Sequence, residues 1–210
     1  MSDYRTEQEA FWAGSFGKAY MERNRGTALI ASKTSFFGRA LRAAPGIQSI
    51  CEFGCNIGLN LKALSDIGNF DLNGIEINAD AAEEARALGV SDISTRSILE
   101  DMSEEGAYDL TFTAGVLIHI NPEYLNTVYD NLVRLSRQYV MVAEYYNPAP
   151  VSVSYRGHGE RLYKRDFAGE LMERHALELV DYGFVYRRDN YTPMDDITWF
   201  LLRKPQAQRK

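Results

Sequence analysis

The sequence has few of the residues and patterns that mark secreted, metal-binding or membrane proteins. Its two cysteines, Cys51 and Cys55, have three residues between them, so they form no C-x-x-C motif and are expected to be small buried side chains. The three histidines show no H-x-x-x-H or H-E-x-x-H spacing, so no protein-built metal site is expected. No apolar run approaches the ~20 residues that cross a bilayer, and the first residues contain no hydrophobic signal core. These absences favour a cytoplasmic protein without a membrane partner.

A basic surface is also missing. The formal net charge is −6 and the pI is about 5.2, which disfavours a nucleic-acid partner because phosphate backbones attract basic faces. The local exception is a basic cluster that can hold an anionic group or form a solvated loop: Arg156, Arg161, Lys164 and Arg165. An apolar content of 45% over 210 residues suffices for one globular domain, and we expect a monomer or a homodimer.

The most informative segment is residues 47–58, with the sequence IQSICEFGCNIG. An apolar run ends in Glu52, and the chain then turns through Gly54 and Gly58 into a helical segment. A second acid, Glu76, ends the next apolar run. A strand, a glycine turn, a helix and a second strand ending in a carboxylate are typical of a nucleoside-binding half-site. The turn admits a ligand to the backbone and the helix start, and the second acid can bind both hydroxyls of a ribose.

The glycines that this turn lacks indicate which nucleoside it binds. In the dinucleotide pattern G-x-G-x-x-G, counted from Gly54, the second and third glycines would stand at Asn56 and Leu59. A pyrophosphate would meet a side chain where it needs bare backbone, and no G-K-[ST] follows to form a phosphate loop. A ligand with ribose and adenine but no phosphate fits, and Glu52 can take the ammonium of an amino-acid tail. S-adenosylmethionine has all of these parts; the alternative is a structural turn with an incidental acid.

Strand and helix patterns alternate along the chain. The predicted strands are residues 47–52, 70–77, 93–98, 108–113, 139–145, 179–185 and 197–202. Helical patterns lie between most of them, two more at 5–25 and 27–41 precede the first strand, and 147–161 has no clear periodicity. We expect an α/β fold: a Rossmann-like, doubly wound, seven-stranded, mostly parallel sheet with an antiparallel last strand and helices on both faces. Residues 1–45 would form a helical cap over the cofactor cleft of a Rossmann-like domain, residues 46–210, within one globular unit.

The carboxyl ends of the predicted strands carry most of the polar candidates. Ligands bind at this edge of such sheets, where the direction of the connections reverses. Groups that follow the first four strands converge there on the cofactor, while Glu144–Asn147, after the fifth strand, lies beside it on the acceptor side. We assign the cofactor contacts to Tyr20, Arg23, Glu52, Gly54, Cys55, Asn56, Gly58, Glu76, Ile77, Ser97, Ile98, Thr113 and Gly115.

At these residues the chain resembles the class I S-adenosylmethionine-dependent methyltransferases. Residues 52–58, EFGCNIG, are similar to the first family motif, acid-x-Gly-x-Gly-x-Gly, with Asn56 in place of the middle glycine. Asparagine tolerates the left-handed backbone better than most residues, so the turn is expected to be preserved. Glu76 matches the ribose-binding acid, and residues 108–113 match the fourth-strand motif. The family's acid after the third strand falls at Ser97, which carries no charge.

A narrower resemblance covers nearly the whole chain. The segments FWAGSFG (11–17), GVLIHINP (115–122), AEYYNP (143–148), YRGH (155–158), KRDFAGE (164–170) and DDITWFLL (195–202) resemble the methylases associated with pseudaminic acid biosynthesis. This resemblance implies a link to sugar-acid pathways and leaves the acceptor open. A sugar hydroxyl, an amine and a guanidinium are all compatible with it.

Two histidines are candidates for acid–base chemistry. Methyl transfer from a sulfonium needs mainly a well-placed acceptor, and a base is required only if that acceptor must lose a proton. His119, after the fourth strand, can be this base or can pack in the loop. His158 can be a catalytic lid residue or a solvated loop histidine. Asp195 and Asp196 either attract a cationic acceptor or form a solvated turn.

The run Glu144–Asn147 is the most suggestive acceptor group. Tyrosines combine an apolar wall with a polar tip, and polar residues that end a central strand lie on the ligand edge. We expect Glu144 and Tyr146 to take part in the reaction, and Tyr145 and Asn147 to bind the acceptor; the alternative is that alternate side chains pack in the sheet. The predicted acceptor side is completed by Tyr155 and Arg156.

The N-terminal helical segment contains further candidates. Phe11, Trp12 and Phe16 either belong to a core or cover the cofactor cleft. Tyr20 and Arg23 are placed to reach the methionine carboxylate.

Two functions from different classes follow. The first is a methyltransferase that acts on a small polar molecule; the second is a non-catalytic S-adenosylmethionine sensor or complex subunit that kept the cleft. Polar residues on the acceptor side favour the enzyme, because a non-catalytic site has no need for them. Methylation of protein or RNA is disfavoured by the acidic charge and by the lack of a target-binding domain.

Overall fold

A seven-stranded sheet forms the centre of the protein, in a computed structural model that describes residues 4–23, 26–155 and 158–205. Its strands are β1 (Ser49–Phe53), β2 (Asp71–Glu76), β3 (Asp92–Thr95), β4 (Tyr108–Ala114), β5 (Ser136–Glu144), β8 (Glu178–Val185) and β9 (Ile197–Arg203). Their order across the sheet is β3-β2-β1-β4-β5-β9-β8. β9 runs antiparallel to both neighbours, and the other adjacent pairs are parallel. The predicted mostly parallel sheet with an antiparallel last strand is confirmed.

Helices cover both faces of this sheet. They are α1 (Glu7–Ala13), α2 (Ser15–Arg23), α3 (Thr27–Ala40), α4 (Leu59–Ser65), α5 (Ala79–Ala87), α6 (Leu125–Leu135) and α7 (Phe167–His175). Side chains alternate along a strand, so β5 contributes Val140 and Val142 to one buried cluster, and Met141 and Ala143 to the other. α6 and α7 pack on the first cluster, and α3 and α4 pack on the second. This two-sided burial explains why the central strands are apolar throughout.

The chain reverses its direction of travel across the sheet at β1. From β1 it proceeds outward to β2 and β3, then returns to place β4 on the other side of β1. The carboxyl ends of β1 and β4 therefore border the crevice in which open α/β sheets bind ligands. The turn after β1 uses positive φ angles at Gly54 (75°), Asn56 (48°) and Gly58 (78°). The expectation that Asn56 preserves the left-handed turn is confirmed.

Gly54 is required in this turn for two reasons. Its φ is positive, which costs a residue with a side chain more than it costs glycine. In addition, a Cβ atom added to it would lie 2.7 Å from Cγ2 of Val116, in the loop that follows β4. The close approach of these two loops brings the ends of β1 and β4 together at the crevice.

The N-terminal segment differs from the single helix predicted over residues 5–25. It forms two helices that break at Gly14, whose backbone is extended at φ −94° and ψ −154°. A capping box begins α1: Thr6 Oγ1 accepts the N–H of Glu9, and the Glu9 carboxylate accepts the N–H of Thr6. The predicted helix over residues 27–41 corresponds to α3.

Two other boundaries also differ from expectation. The third strand ends at Thr95, so Ser97 and Ile98 lie in the turn after it rather than in the strand. The stretch predicted to be irregular, residues 147–161, contains β6 (Val151–Tyr155) and the start of β7 (His158–Lys164), which form a separate two-stranded antiparallel sheet. The sequence of β6, VSVSY, alternates apolar and polar residues as a strand does, so the signal for it was present; Pro148 and Pro150 just before it are typical of a loop and obscured that signal.

The described residues also bear on membranes, metals and thiols. Among residues 4–23, 26–155 and 158–205, no helix has the length and apolar character needed to cross a membrane. In the same part of the chain, His, Cys, Asp and Glu side chains form no group of three or more arranged to hold a metal ion. Cys51 and Cys55 are both buried and carry free thiols.

Candidate functional site

A cavity of about 630 Å³ opens at the crevice between β1 and β4. Its walls come from the turns after β1, β2, β3 and β4, from α1–α3, and from the loop between β8 and β9. This volume lies within the range of roughly 300–1,000 Å³ typical of small-molecule and cofactor sites. The predicted cofactor residues that line the cavity are Tyr20, Glu52, Gly54, Cys55, Asn56, Glu76, Ile77, Ser97, Ile98 and Gly115.

Glu76 ties the first turn to the end of the second strand. Its carboxylate accepts the backbone N–H of Asn56 at 2.7 Å and that of Asn78 at 2.8 Å. Burial raises the pKa of Glu76, and the N–H groups of Asn78, Asn56 and Ile77 partly oppose this rise. Asn78 also caps α5 by accepting the N–H groups of Asp80 and Ala81. Glu76 therefore stabilises the turn and presents its carboxylate to the cavity.

An acid from α1 reaches Ser97, an uncharged residue in the turn after β3. The Ser97 hydroxyl donates a hydrogen bond to the Glu9 carboxylate and accepts the N–H of Leu99 at 2.9 Å. Glu9 is buried on α1, and Glu9, Ser97 and Leu99 all line the cavity. Glu9 was not among the predicted site residues, because only the folded chain brings residue 9 beside residue 97. The capping box of α1 was the local signal that Glu9 would have a fixed orientation.

A second group of polar side chains lies where α3, β1 and α4 meet. Asn60 Nδ2 donates to Glu52 Oε1, and Lys33 Nζ donates to Asn60 Oδ1 at 2.7 Å. Glu52 Oε2 is buried and has no hydrogen-bond partner within the described residues. Burial raises the pKa of Glu52 to about 8, although the hydrogen bond from Asn60 and the charge of Lys33 act in the opposite direction. Lys33 and Asn60 were not among the predicted site residues.

His119 lies on the cavity wall in the loop after β4. Its ring centroid is 4.6 Å from that of Trp12, so the N-terminal aromatic segment packs directly on this loop. Trp12 also packs against Tyr20, at 5.2 Å between centroids, and both line the cavity. Trp12 thus borders the cavity, as a cover over the cleft requires, whereas Phe11 and Phe16 do not line it and pack on each other with 4.1 Å between ring centroids.

Glu144 lies behind the cavity wall rather than in it. Its carboxylate accepts the N–H groups of Val116 and Leu117, each at 3.1 Å, and that of Ile118 at 3.4 Å. Burial raises the pKa of Glu144 to about 7, and these N–H groups limit the rise. The carboxylate predicted to face the acceptor is therefore directed at the backbone of the loop that carries His119.

The other predicted acceptor residues divide between the cavity and the surface. Tyr145 lines the cavity, whereas Tyr146 is 43% exposed and packs on Phe200 with 5.9 Å between ring centroids. Asn147 donates its side-chain amide to the carbonyl of Ala149. Tyr146 and Asn147 do not line the cavity, because successive residues after β5 point in different directions as the strand ends. Arg156 lies outside the described residues.

The remaining predicted site residues fall into two groups: three whose side chains the structure does not describe, and two that pack beside the cavity without lining it. The side chains of Arg23, Tyr155 and His158 lie outside the described part of the chain, so their roles stay predictions. Thr113 is buried in β4, away from the cavity lining. A Cβ atom on Gly58 would lie 3.1 Å from Ala85 and Leu88, so this glycine allows α5 to pack closely on the turn.

α3 and the loop between β8 and β9 form a further part of the cavity wall. α3 contributes Leu29, Lys33 and Phe36. The loop contributes Arg187, Pro193, Met194 and Asp195. Asp195, for which a solvated turn was one alternative, borders the cavity. The other residues of this part were not predicted, because helix periodicity gives those of α3 a packing role and no motif marks those of the loop.

Comparison with known proteins identifies the fold. No family model matches the sequence, and no curated protein matches it. Solved structures do match. One is the 1,6-didemethyltoxoflavin-N1-methyltransferase of Burkholderia thailandensis with 1,6-didemethyltoxoflavin and S-adenosylhomocysteine bound. It superposes with a TM-score of 0.71 at 13% identity, over 94% of this chain and 87% of that chain. Magnesium protoporphyrin IX methyltransferase of Synechocystis, with S-adenosylhomocysteine bound, gives 0.68 at 14% identity over 95% and 100%. A SAM-dependent methyltransferase of Methanosarcina mazei gives 0.64 at 12% over 80% and 98%. The chain has the class I methyltransferase fold.

Replacing Glu144 tests whether it supports the loop or the acceptor. Glu144→Gln leaves one acceptor oxygen for three backbone N–H groups, so we expect a loss of about 1–3 kcal/mol in the free energy of unfolding, measured with urea. The matched control is Glu178→Gln, an exposed partner of Arg203, which should change stability by less than about 0.5 kcal/mol. Unchanged stability of Glu144→Gln, together with lost turnover, would return Glu144 to the acceptor side.

The raised pKa of Glu52 predicts how the free energy of unfolding depends on pH. Because this pKa lies above its ordinary value of 4.5, the contribution of Glu52 to stability is complete below that pH and is lost as the pH rises through about 8. Glu52→Gln should therefore match the ligand-free wild type near pH 5 and exceed its unfolding free energy by about 2–4 kcal/mol near pH 9. Urea unfolding at both pH values measures this difference, and parallel pH curves for the two proteins would contradict it.

Proposed function

We propose that the protein is an S-adenosylmethionine-dependent methyltransferase that acts on a small polar molecule. The observation that carries this proposal is the Gly54–Gly58 turn at the crevice, held by the buried carboxylate of Glu76 and bordering a cavity of about 630 Å³. The methyltransferase fold of the neighbouring structures, two of them with S-adenosylhomocysteine bound, supports the same cofactor.

Cavity residues from α1 and from β1, β2 and the turn after β3 fit the parts of this cofactor. Ile98 and Leu99 offer an apolar wall for adenine, and the Glu9 carboxylate beside Ser97 offers an acceptor for its amino group. Glu76 would accept hydrogen bonds from the ribose hydroxyls. The buried Glu52 Oε2 lacks a partner in the described residues and suits an ammonium group.

The chemistry needs positioning more than it needs proton transfer. Bound S-adenosylmethionine supplies an electrophilic methyl group on a sulfonium. Trp12 and Tyr145 border the cavity and would exclude water and hold the acceptor in line with that methyl group. His119 lines the cavity beside Trp12 and would take a proton from a hydroxyl acceptor. An amine presented neutral would need no base.

The size of the cavity would suit a small acceptor. Its wall beside α3 and the β8–β9 loop combines apolar side chains with charged Lys33, Arg187 and Asp195. A sugar or sugar-acid intermediate, methylated on oxygen or nitrogen, is the acceptor that the resemblance to the pseudaminic-acid-associated methylases favours. The neighbouring toxoflavin and protoporphyrin enzymes act on other small molecules, so the fold is compatible with several acceptor classes.

The N-terminal segment would act as a cover over the bound cofactor. Trp12, Tyr20 and Met21 come from α1 and α2 and line the cavity, and Glu9 bonds Ser97 across it. In this proposal residues 1–45 close over the cofactor, whereas residues 46–210 supply the turns that bind it. His158, Tyr155 and Arg156 keep their predicted places on the acceptor side.

Methyl transfer itself distinguishes the enzyme from a non-catalytic sensor. The purified protein is incubated with S-adenosylmethionine labelled in its methyl group and with the small-molecule fraction of a cell extract. Label in a product small enough to pass a dialysis membrane supports the enzyme. Tight cofactor binding without labelled product supports the sensor, and label retained on protein or RNA would contradict the proposed acceptor class.

Glu76→Ala tests the cofactor assignment. The change removes a charged acceptor whose hydrogen bonds to the ribose together contribute about 1.5–3 kcal/mol, so S-adenosylhomocysteine affinity measured by calorimetry should fall roughly 10–100-fold. Asp71→Ala, exposed at the other end of β2, is the control and should bind normally. The wild type should show no binding of NAD at millimolar concentration, because Asn56 and Leu59 stand where a pyrophosphate needs glycine. Micromolar NAD affinity or an unchanged Glu76→Ala affinity would reject this assignment.

A further inference from the structure

The edge of the sheet formed by β8 carries a row of exposed aromatic side chains. Tyr182 and Phe184 lie two residues apart, so they share one side of the sheet, and they are 63% and 50% exposed. Tyr186, just after the strand, is 46% exposed. Phe200 of β9 is the pairing partner of Tyr182, and the two rings stack with 6.2 Å between centroids. Tyr146 packs on Phe200 as well, and we call these five residues the aromatic face.

The two sides of β8 are covered differently. Val180 and Val185 pack on the buried cluster to which α3 contributes, so one side of the strand is closed by its own chain. On the opposite side α7 packs on β5 and β9, and the aromatic face lies at the sheet edge beside it. Helices normally cover both sides of such a sheet. The last strand is therefore covered on one side and presents aromatic rings to solvent on the other.

The backbone edge of β8 is protected against the addition of another strand. Its pairing with β9 shifts register between Leu179 and Asp181, which indicates a bulge, and Asp181 Oδ1 accepts the N–H of Tyr182 at 2.9 Å. Bulges and charged side chains on an edge strand hinder strand addition. The exposed feature of this edge is thus its aromatic side chains rather than its backbone, which favours a contact through the aromatic face.

The area of the aromatic face is close to what a dimer needs. An aromatic side chain has roughly 150–250 Å² to bury, and four of these five are about half exposed, so the face offers roughly 400–500 Å². Two such faces and the residues that flank them reach the ~1,000 Å² expected of a specific interface. A contiguous apolar patch of this size typically marks an interaction site.

The charge of the aromatic face also suits a second copy of this chain. The whole chain carries a formal net charge of −6, so most surfaces of two copies repel each other. The five residues of the aromatic face are uncharged, and two copies can meet there without opposing like charges. An uncharged aromatic surface is complementary to another of the same kind, and a second copy provides one.

We propose that the aromatic face packs on the same face of a second copy of the chain, related by a two-fold axis, to form a homodimer. In a two-fold contact one set of side chains supplies both halves of the interface, so a single patch is sufficient. This proposal chooses the homodimer from the two states expected from the sequence. It gives Tyr146, predicted to take part in the reaction, a place in the interface instead.

The mass of the full chain in solution is the first test. Light scattering at micromolar concentrations should give the wild type twice the 23.8 kDa of one chain. Phe184→Glu and Tyr182→Glu each place a carboxylate in the interface of both copies, so the dissociation constant should rise about 100-fold or more. Ile67→Glu is the matched control, because Ile67 is 37% exposed after α4, and it should stay dimeric.

The folding of each variant is checked by urea unfolding. If neither glutamate variant folds, Tyr182→Ser removes a ring without adding a charge and should weaken the dimer about 10-fold.

Cross-linking is the second test, and it reports contact between identical faces directly. The native thiols of Cys51 and Cys55 are buried, so an added cysteine is the accessible one among the described residues. Tyr182→Cys and Phe184→Cys are treated with an added oxidant, and the disulfide-linked dimer is followed on a non-reducing gel. At least one of them should cross-link faster than Ile67→Cys, because a two-fold axis brings a residue of the face near its own copy.

Three outcomes would overturn the inference. The wild type can remain a monomer throughout the concentration range, which leaves the aromatic face to a different partner. A dimer can survive both glutamate substitutions in folded protein, which means that the copies meet elsewhere or through the backbone edge of β8, where these side chains stay exposed. The two cysteine variants can also cross-link no faster than Ile67→Cys, which excludes contact between identical faces.

Discussion

The backbone N–H groups of Asn56 and Asn78 converge on the carboxylate of Glu76, and the geometry of the site depends on this contact. The turn after β1 uses a left-handed backbone at a residue with a side chain, which is less favourable than at glycine. The buried carboxylate of Glu76 accepts the N–H of Asn56 in this turn, which offsets part of that cost, and the N–H of Asn78 in the turn after β2, so the two turns are fixed against each other. The start of α4, the packing of α5 on Gly58 and the opening of the crevice all follow from this fixed turn.

Three buried carboxylates surround the crevice, and each has a pKa raised by burial. Glu52, Glu76 and Glu144 differ in how they are compensated: Glu76 and Glu144 accept several backbone N–H groups, whereas Glu52 has one amide and a distant lysine. Glu52 is thus the acid with most to gain from a cationic ligand, since an added positive charge stabilises its ionised form. A cofactor that carries a sulfonium and an ammonium suits such a site better than a phosphate-bearing nucleotide of negative charge.

The sequence was sufficient for the features that depend on local pattern. Apolar runs predicted the positions of the strands of the central sheet. The polar residues at the ends of these runs predicted which edge of the sheet borders the cavity, and Asn56 predicted a left-handed turn. Contacts between distant segments could not be found this way. Glu9 reaches Ser97 across 88 residues, and Lys33 reaches Asn60 across 27, so no spacing rule connects them. For Glu144 the local pattern suggested a ligand contact, but the carboxylate accepts backbone N–H groups of a loop instead. A carboxylate at a strand end can bind a backbone loop as readily as a ligand.

The cavity wall combines residues that define the fold with residues that can define the acceptor. The turns after β1, β2 and β4 have conformations that the sheet requires, and α1 borders the cavity through Glu9 and Trp12. The rest of the wall comes from α3 and from the loop between β8 and β9, which the sheet constrains far less. Substitutions there can reshape the acceptor pocket without disturbing the turn at Gly54–Gly58. A common fold at 12–14% identity is therefore compatible with unrelated acceptors, and the acceptor of this chain has to be determined from residues such as Lys33 and Asp195 rather than from the fold.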